Sequence, residues 1–344
     1  MKGKVLAVLL RERERLFFTD RSEILAMLHR NAELTQQGKG ANLALVGQQR
    51  IGKTMLARRF ADDLSERDSP LVPIYFDVAR NLFVPSVFAI RLLAAIGRSF
   101  VEADGRQVEQ SGGVLDATSL RSIVDQTREE TLLATARLVT REMEKDRPDE
   151  RLMLETTLSC LEQTAQHTGR TPLVILDEFH HVTQLDSFPR VKDTLGVVGQ
   201  TLNQQTRVRY IAASSNTHMV ERIVHSATSP LSEQFQVMPV PPFDRAATDE
   251  FCQKTLPQHL LGQQTVAHVF EFTSGHPFYL SCLTTAMRRL GAERVHLHHQ
   301  PSDDVLDWAV YEELLTREGR IWQYCEHRLA MALAEARGRT TLRS

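Results

Sequence analysis

Short apolar runs separated by longer amphipathic stretches characterise the first two thirds of the chain. The runs with the length and composition of buried strands are 42–46, 71–78, 172–177, 207–213 and 235–240. The stretches between them carry apolar residues at helical spacing. Strands that alternate with helices indicate βαβ units, in which parallel strands form one sheet covered by helices. The pattern therefore predicts an α/β fold with a three-layer parallel sheet.

Helical patterns occupy the remaining segments. Residues 1–37 have helical spacing, and residues 85–168 form a long, charged helical stretch that we interpret as an insertion. The composition changes near residues 239–242, and every later segment has a helical pattern. We therefore expect an α/β domain over residues 1–243, with the insertion at about 85–168, and a smaller all-helical lid domain over 244–344.

Composition and charge narrow the class of protein. Hydrophobic residues make up 42% of the 344 positions, and the formal net charge is −2, so the chain has no overall basic field for nucleic acid. The four cysteines are far apart and form no CxxC pair, which indicates a reducing, cytoplasmic setting. No run approaches the roughly 18 apolar residues of a membrane-spanning helix. We expect a soluble cytoplasmic protein with no membrane segment.

A phosphate-binding motif lies between the first predicted strand and a helical segment. Residues 47–54 match GxxxxGK[ST] in full. In such a loop the backbone N–H groups surround the phosphates, Lys53 contacts the β- and γ-phosphates, and Thr54 is a ligand of Mg²⁺. The alternative is a glycine-rich surface turn. The residues expected to bind ATP or ADP are Gly47, Gln48, Gln49, Arg50, Ile51, Gly52, Lys53, Thr54 and Met55.

An acidic pair follows the most apolar strand. Residues 173–176 are Leu-Val-Ile-Leu, and Asp177 and Glu178 come next, as in a Walker B motif. Open α/β sheets place ligands at the carboxyl ends of their strands. We expect Asp177 to hold Mg²⁺ beside Thr54, and Glu178 to polarise the attacking water. The alternative is a strand that ends in a solvated acidic turn.

Histidines follow the acidic pair directly. His180 and His181 suggest metal ligation, but adjacent residues in a loop rarely converge on one ion, and Mg²⁺ prefers oxygen ligands. We therefore interpret them as bystanders. The cluster of His296, His298 and His299 has no cysteine or carboxylate at a metal-site interval, and we interpret it as a solvated turn.

Polar residues also follow the fourth predicted strand. In P-loop ATPases with a catalytic glutamate, a strand between the P-loop strand and the Walker B strand ends in a polar residue that contacts the γ-phosphate or orients water. Ser215 and Asn216 fit that catalytic position better than Ser214. The alternative for any one of them is the N-cap of a helix over 217–225.

The order of these motifs resembles the archaeal-type ATPases of the STAND group of P-loop NTPases, which are relatives of AAA+ and origin-recognition ATPases. The resemblance runs from Phe18 to about Arg337. It implies ATPase activity, an adenine contact near Arg21, and a second adenine contact at Pro277 that couples nucleotide state to the lid domain. The segments that carry it are 18–25, 47–54, 175–179, 213–216, 228–231 and 275–280.

Three function hypotheses remain open. In the first, ATP binding and slow or partner-stimulated hydrolysis drive a conformational or assembly switch that acts on a protein partner or on further copies of the chain. In the second, the chain is a DNA-associated ATPase of the initiator, loader or transposon target-selector type. The near-neutral charge and the lack of room for the winged-helix domain of many relatives count against it. In the third, the chain is a scaffold that binds ATP without turnover.

Overall fold

The computed structural model describes residues 9–108, 117–293 and 302–341. Its strands are β1 (Leu43–Val46), β2 (Leu71–Asp77), β3 (Thr171–Asp177), β4 (Arg209–Ser214) and β5 (Gln236–Pro239). Its α-helices are α1 (Glu12–Phe17), α2 (Ser22–Gln36), α3 (Lys53–Ser65), α4 (Val78–Asn81), α5 (Pro85–Ala103), α6 (Ala117–Thr127), α7 (Glu130–Met143), α8 (Glu150–Thr168), α9 (Thr194–Gln204), α10 (Thr217–His225), α11 (Arg245–Thr255), α12 (Gln263–Thr273), α13 (Pro277–Glu293), α14 (Ser302–Val310) and α15 (Arg320–Thr341). Segments Phe179–Ser187 and Gln258–Leu260 are 3-10 helices, and Tyr311–Leu315 is a π-helix. A membrane crossing would need a longer and more apolar helix than any within the described ranges.

The strands form one parallel sheet in the order β2-β3-β4-β1-β5. This order places β4 between β1 and β3. Ser214 pairs with Val46 at the carboxyl ends of β4 and β1, and Asp177 pairs with Asp77 at the ends of β3 and β2. The polar residues that follow β1, β3 and β4 are therefore brought to one edge of the sheet. The predicted α/β parallel-sheet fold is confirmed.

Burial along the strands follows from their positions in the sheet. All four residues of β1 are buried, and so are all residues of β3 after Thr171. Continuous burial is expected where helices cover both faces of a parallel sheet. The edge strand β5 is mostly exposed. Helices α2, α3, α5, α8 and α10 contact the sheet and enclose its apolar core.

The segment predicted as a helical insertion contains helices α5 to α8. Helix α5 begins at Pro85, which suits a first helical position because it has no N–H to leave unpaired. Helix α8 begins after Asp149, whose side chain accepts from the Leu152 N–H, and it ends at Gly169 in the left-handed conformation. Helix α5 packs on α6, α8 and β2, so its long apolar face is part of the main core.

The prediction of a single helix over residues 1–37 is wrong, because the helix is interrupted between residues 17 and 22. Helix α1 ends at Phe17 and α2 begins at Ser22, and between them Asp20 and Arg21 have φ values of 55° and 68°. Left-handed backbone cannot continue a right-handed helix. The residues before α1 are held by the buried carboxylate of Asp62, which accepts hydrogen bonds from the backbone N–H groups of Leu9 and Leu10.

The described chain divides into two compact units. The first consists of residues 9–15, 21–49 and 53–240, and the second of residues 16–20, 50–52 and 241–341, with the undescribed residues left out of both. The second unit has an apolar core of its own, formed by α11 to α15. Asp244 caps α11 by accepting from the Ala247 N–H. Gly275, at φ +70°, lies so close to Phe243 that a Cβ would be 1.8 Å from the Phe243 carbonyl oxygen.

Candidate functional site

The loop between β1 and α3, residues 47–52, reverses the chain sharply. Arg50 and Gly52 both have positive φ values, 62° and 99°, and the curvature they produce turns the loop around the start of α3. The ammonium of Lys53 donates hydrogen bonds of 2.8 Å to the carbonyl oxygens of Gly47 and Gln48. We call residues 47–54 the phosphate loop. Its lysine is only 5% exposed and lies over the loop's own backbone.

The remaining predicted loop residues differ in exposure. Gln48, Gln49 and Arg50 are exposed, whereas Ile51 is buried. Thr54 and Met55 are half-buried in the first turn of α3. A helix N-terminus presents N–H groups that favour an anion, so the start of α3 suits a phosphate.

The buried position of Lys53 disfavours its positive charge. Burial lowers the pKa of Lys53 to about 8, although the nearby carboxylates of Glu178 and Asp177 act in the opposite direction. An anion bound against the ammonium would stabilise the charged form further. The lysine is therefore electrostatically suited to a bound phosphate.

Asp177 and Thr54 lie near each other at the carboxyl end of the sheet. The Asp177 carboxylate, 2% exposed at the end of β3, accepts a hydrogen bond of 2.7 Å from the Tyr75 hydroxyl, and the Thr54 hydroxyl lies close enough to lower the pKa of Asp177. Burial raises the pKa of Asp177, and these two donors oppose the rise. A hydroxyl and a carboxylate are oxygen ligands of the kind that Mg²⁺ prefers, so this pair fits a magnesium ion.

Tyr75 is a site residue that sequence reasoning missed. It lies on β2, beside the Walker B strand, and Arg58 Nε donates to its hydroxyl at 3.2 Å. The hydroxyl thus accepts from Arg58 while it donates to Asp177. Tyr75 lies two residues before the end of β2. The sequence does not show that β2 pairs with β3, and without that pairing Tyr75 cannot be placed beside Asp177.

Glu178 and Ser215 are in direct contact. Glu178 follows β3 with a left-handed backbone, φ 51°, and its Oε2 atom accepts from the Ser215 hydroxyl at 2.7 Å and from the Ser215 N–H at 3.1 Å. Ser215 follows β4, so the contact joins the ends of two neighbouring strands. Glu178 and one of the two residues predicted to contact the γ-phosphate or orient water therefore form a hydrogen-bonded pair.

Asn216 has a different role from Ser215. Its side-chain oxygen accepts from the Met219 N–H at 3.0 Å and caps α10. The helix-cap alternative is thus the observed geometry for Asn216. Ser214, one residue before Ser215, hydrogen-bonds through its hydroxyl with His180 Nδ1 at 2.9 Å.

The two histidines after the acidic pair lie beside Glu178. His180 Nδ1 is 3.4 Å from Glu178 Oε2, and the rings of His180 and His181 are 4.1 Å apart between centroids. Burial, with the charges of His181 and Lys53, lowers the pKa of His180, which Glu178 opposes. One ligand atom from each of Glu178, His180 and His181 lies within 4.8 Å of the others, so both histidine side chains lie next to the Glu178 carboxylate. His296, His298 and His299 lie outside the described residues.

The two predicted adenine contacts stay predictions. Arg21 is buried in the first unit immediately before α2, where its carbonyl oxygen accepts from the Leu25 N–H. Pro277 is half-buried at the first position of α13 in the second unit.

Comparisons with known proteins give the family of the chain and several similar solved structures. A profile described as an ATPase domain predominantly from Archaea matches residues 18–283. The chain is similar in structure to a Walker-type ATPase of Pyrococcus abyssi, with a TM-score of 0.57 and 16% identity over 96% of this chain and 79% of that one. It is also similar to the ORC2 protein of Aeropyrum pernix, solved as ADPNP-ADP complexes, with a TM-score of 0.49 and 16% identity over 87% of this chain and 71% of that one. No curated protein was found to match by sequence.

Proposed function

Because the chain belongs to the family of ATPase domains found predominantly in Archaea, we propose that it binds ATP with Mg²⁺ and hydrolyses it to ADP and phosphate as a nucleotide-dependent switch. The observation that carries this proposal is the meeting of three groups at one edge of the sheet. They are the Lys53 ammonium after β1, the Thr54–Asp177 pair, and the Glu178–Ser215 pair.

The phosphate loop would bind the triphosphate. Lys53 would exchange its two carbonyl partners for β- and γ-phosphate oxygens, which are stronger acceptors because they are charged. Thr54 and Asp177 would hold magnesium, which neutralises phosphate charge when bound. Tyr75 keeps the Asp177 carboxylate in place through its hydroxyl.

Glu178 would act as the general base. Its carboxylate is half-buried at the strand ends, where it can accept a hydrogen bond from a water beside the γ-phosphate and take that water's proton during attack. Ser215 holds one carboxylate oxygen with two hydrogen bonds, so the side chain has a defined position for this transfer. A positioned base contributes about 10²–10⁴-fold to rate.

A switch requires a ligand that binds two states with different affinity. ATP and ADP differ at the γ-phosphate, and Lys53 and Ser215 are the groups that we propose to distinguish them. Nucleotide state would then alter the environment of Glu178 and the start of α10, which directly follows Ser215 and Asn216. A protein partner or further copies of the chain would respond to that change.

The test combines calorimetry of nucleotide binding with phosphate release. The wild-type chain should bind ATP in a magnesium-dependent manner, and Lys53→Ala should weaken binding at least about 100-fold, because two charge-assisted contacts of about 1.5–3 kcal/mol each are lost. Glu178→Gln should retain affinity and lose about 100-fold or more in turnover. Lys39→Ala, at an exposed position before β1, is the matched control.

Two results would contradict the proposal: no magnesium-dependent uptake of ATP by the wild-type chain, or full turnover by Glu178→Gln. The switch is tested separately by light scattering after size exclusion in ADP, ATP and a non-hydrolysable analogue. The Glu178→Gln variant with ATP should give the same species as wild type with the analogue.

A further inference from the structure

A second group of metal-ligand side chains lies beside the magnesium pair. Glu178, His180 and His181 each offer one ligand atom, and these atoms lie within 4.8 Å of one another. All three residues are half-buried, so an ion from solvent can reach them. The proposed hydrolysis mechanism uses Glu178 and leaves both imidazoles without a function.

The donor set differs in kind from that of the magnesium pair. Mg²⁺ prefers oxygen ligands in octahedral geometry, whereas imidazole nitrogens suit Zn²⁺ and the later first-row divalent ions. Two histidines with one glutamate, plus water, are a known ligand set for Zn²⁺ in proteins. The chemistry of the cluster therefore selects a borderline-soft divalent cation.

Neighbouring residues already orient two of the three ligands. The Ser214 hydroxyl hydrogen-bonds with His180 Nδ1 at 2.9 Å, and Ser215 donates twice to Glu178 Oε2. Such outer partners fix ligand orientation in metal sites. A carboxylate has about four lone-pair sites, so the bonds from Ser215 leave acceptor capacity for a metal.

We propose that Glu178, His180 and His181 form a binding site for a Zn²⁺-class divalent cation, distinct from the Thr54–Asp177 magnesium pair, and that its occupancy arrests hydrolysis by taking the carboxylate of Glu178. No covalent step is involved, because the ion removes the acceptor that the attacking water needs. The effect on turnover rests on the proposed function, whereas the binding of the ion does not.

The first experiment measures Zn²⁺ binding without nucleotide, by competition with a chromogenic chelator. Wild type should have a Zn²⁺ site that is weakened at least about tenfold in His181→Ala and in Glu178→Gln, since the loss of an outer partner of a metal ligand alone costs about 10–100-fold. His225→Ala removes an exposed histidine at the end of α10 and should bind as wild type does. Thermal unfolding shows that each variant is folded. Equal Zn²⁺ binding by wild type, His181→Ala and His225→Ala would overturn the site.

The second experiment adds Zn²⁺ to steady-state phosphate release at saturating Mg-ATP, with each variant compared with its own zinc-free rate. Wild type and His225→Ala should lose turnover over the concentration range of the chelator titration, and His181→Ala should require at least about tenfold more Zn²⁺. Equal sensitivity of His181→Ala and wild type to Zn²⁺ would show that Zn²⁺ inhibits by binding at the ATP phosphates. That result would overturn the regulatory role. Failure of ATP binding would instead contradict the proposed function, and the nucleotide-free titration would be unaffected.

Discussion

The phosphate loop orients its charged group with its own backbone, whereas the strand-end cluster, which consists of Tyr75, Asp177, Glu178, His180 and Ser215, orients its groups with side chains from separate strands. Lys53 contacts carbonyl groups five and six residues away in sequence. The Tyr75–Asp177 contact spans 102 residues, and the Glu178–Ser215 contact spans 37. The loop therefore depends on local conformation, and the cluster depends on the order and register of the sheet.

This difference implies different sensitivities to single substitutions. A change within the loop should affect nucleotide binding as a whole, because the same few residues form the entire phosphate cradle. A change within the strand-end cluster should affect one function and spare the others, because each carboxylate has its own neighbour. Single substitutions in each region therefore test that separation.

Ser215→Ala should reduce turnover about tenfold or more, because a hydrogen bond to the charged Glu178 side chain, worth about 1.5–3 kcal/mol, is removed. The KM for ATP should change much less, since the phosphate loop is untouched. Phosphate-release kinetics give both constants.

Asn216→Ala is the matched control for Ser215→Ala. It removes the cap of α10 and should cost about 1 kcal/mol of stability in thermal or urea unfolding, with little change in turnover. If Asn216→Ala lost as much turnover as Ser215→Ala, the separation of base-positioning and helix-capping roles would be wrong.

The same contrast explains how much could be predicted from sequence. The loop motif, its strand and its helix are contiguous, so residues 47–54 could be assigned directly, and the apolar runs predicted each strand to within about two residues. Ser215 was a candidate because family-level strand order placed it near the γ-phosphate. Its choice over Asn216 required the observed hydrogen bonds.

Other features had no local sequence pattern. Tyr75 becomes a site residue only because β2 pairs with β3, and the convergence of His180 and His181 on Glu178 depends on the left-handed backbone at Glu178 and the 3-10 helix after it. The break at residues 18–21 likewise follows from left-handed residues that periodicity does not report. Non-local pairing and unusual backbone conformation were the properties that could not be predicted.

Tyr75→Phe should raise the Mg²⁺ concentration that half-saturates turnover about fivefold, because the hydroxyl that orients Asp177 contributes about 1 kcal/mol. Binding of ATP without Mg²⁺ should be unchanged. Magnesium titrations of activity and calorimetry in a chelator measure the two quantities.

Tyr210→Phe is the control for Tyr75→Phe, since it removes a buried hydroxyl that hydrogen-bonds Gln205. It should lower stability without altering the Mg²⁺ requirement. An unchanged Mg²⁺ requirement in Tyr75→Phe would show that the Tyr75 hydroxyl does not orient Asp177 for Mg²⁺. The strand-end cluster would then not depend, at this position, on a side chain from a neighbouring strand.

The pH dependence of ATP affinity should show an electrostatic link between the two regions. Burial lowers the pKa of Lys53 to about 8, and the negative charges of Glu178 and Asp177 oppose that decrease. Phosphate binds the protonated ammonium, so affinity should be constant below that pKa and fall above it, to about a quarter of its pH 7 value near pH 8.5. Calorimetry in buffers of different ionisation enthalpy should show proton uptake there.

Two variants locate this pH dependence. Lys53→Arg keeps its charge throughout this range and should lack the decline, even if its affinity is lower. Glu178→Gln removes one of the charges that support the ammonium, so its decline should begin at a lower pH than in wild type. Flat affinity up to about pH 9 in wild type, or the same decline in Lys53→Arg, would show that Lys53 does not titrate in this range. A shift in Glu178→Gln alone would show that the strand-end cluster, though built separately, sets the charge state on which the phosphate loop depends.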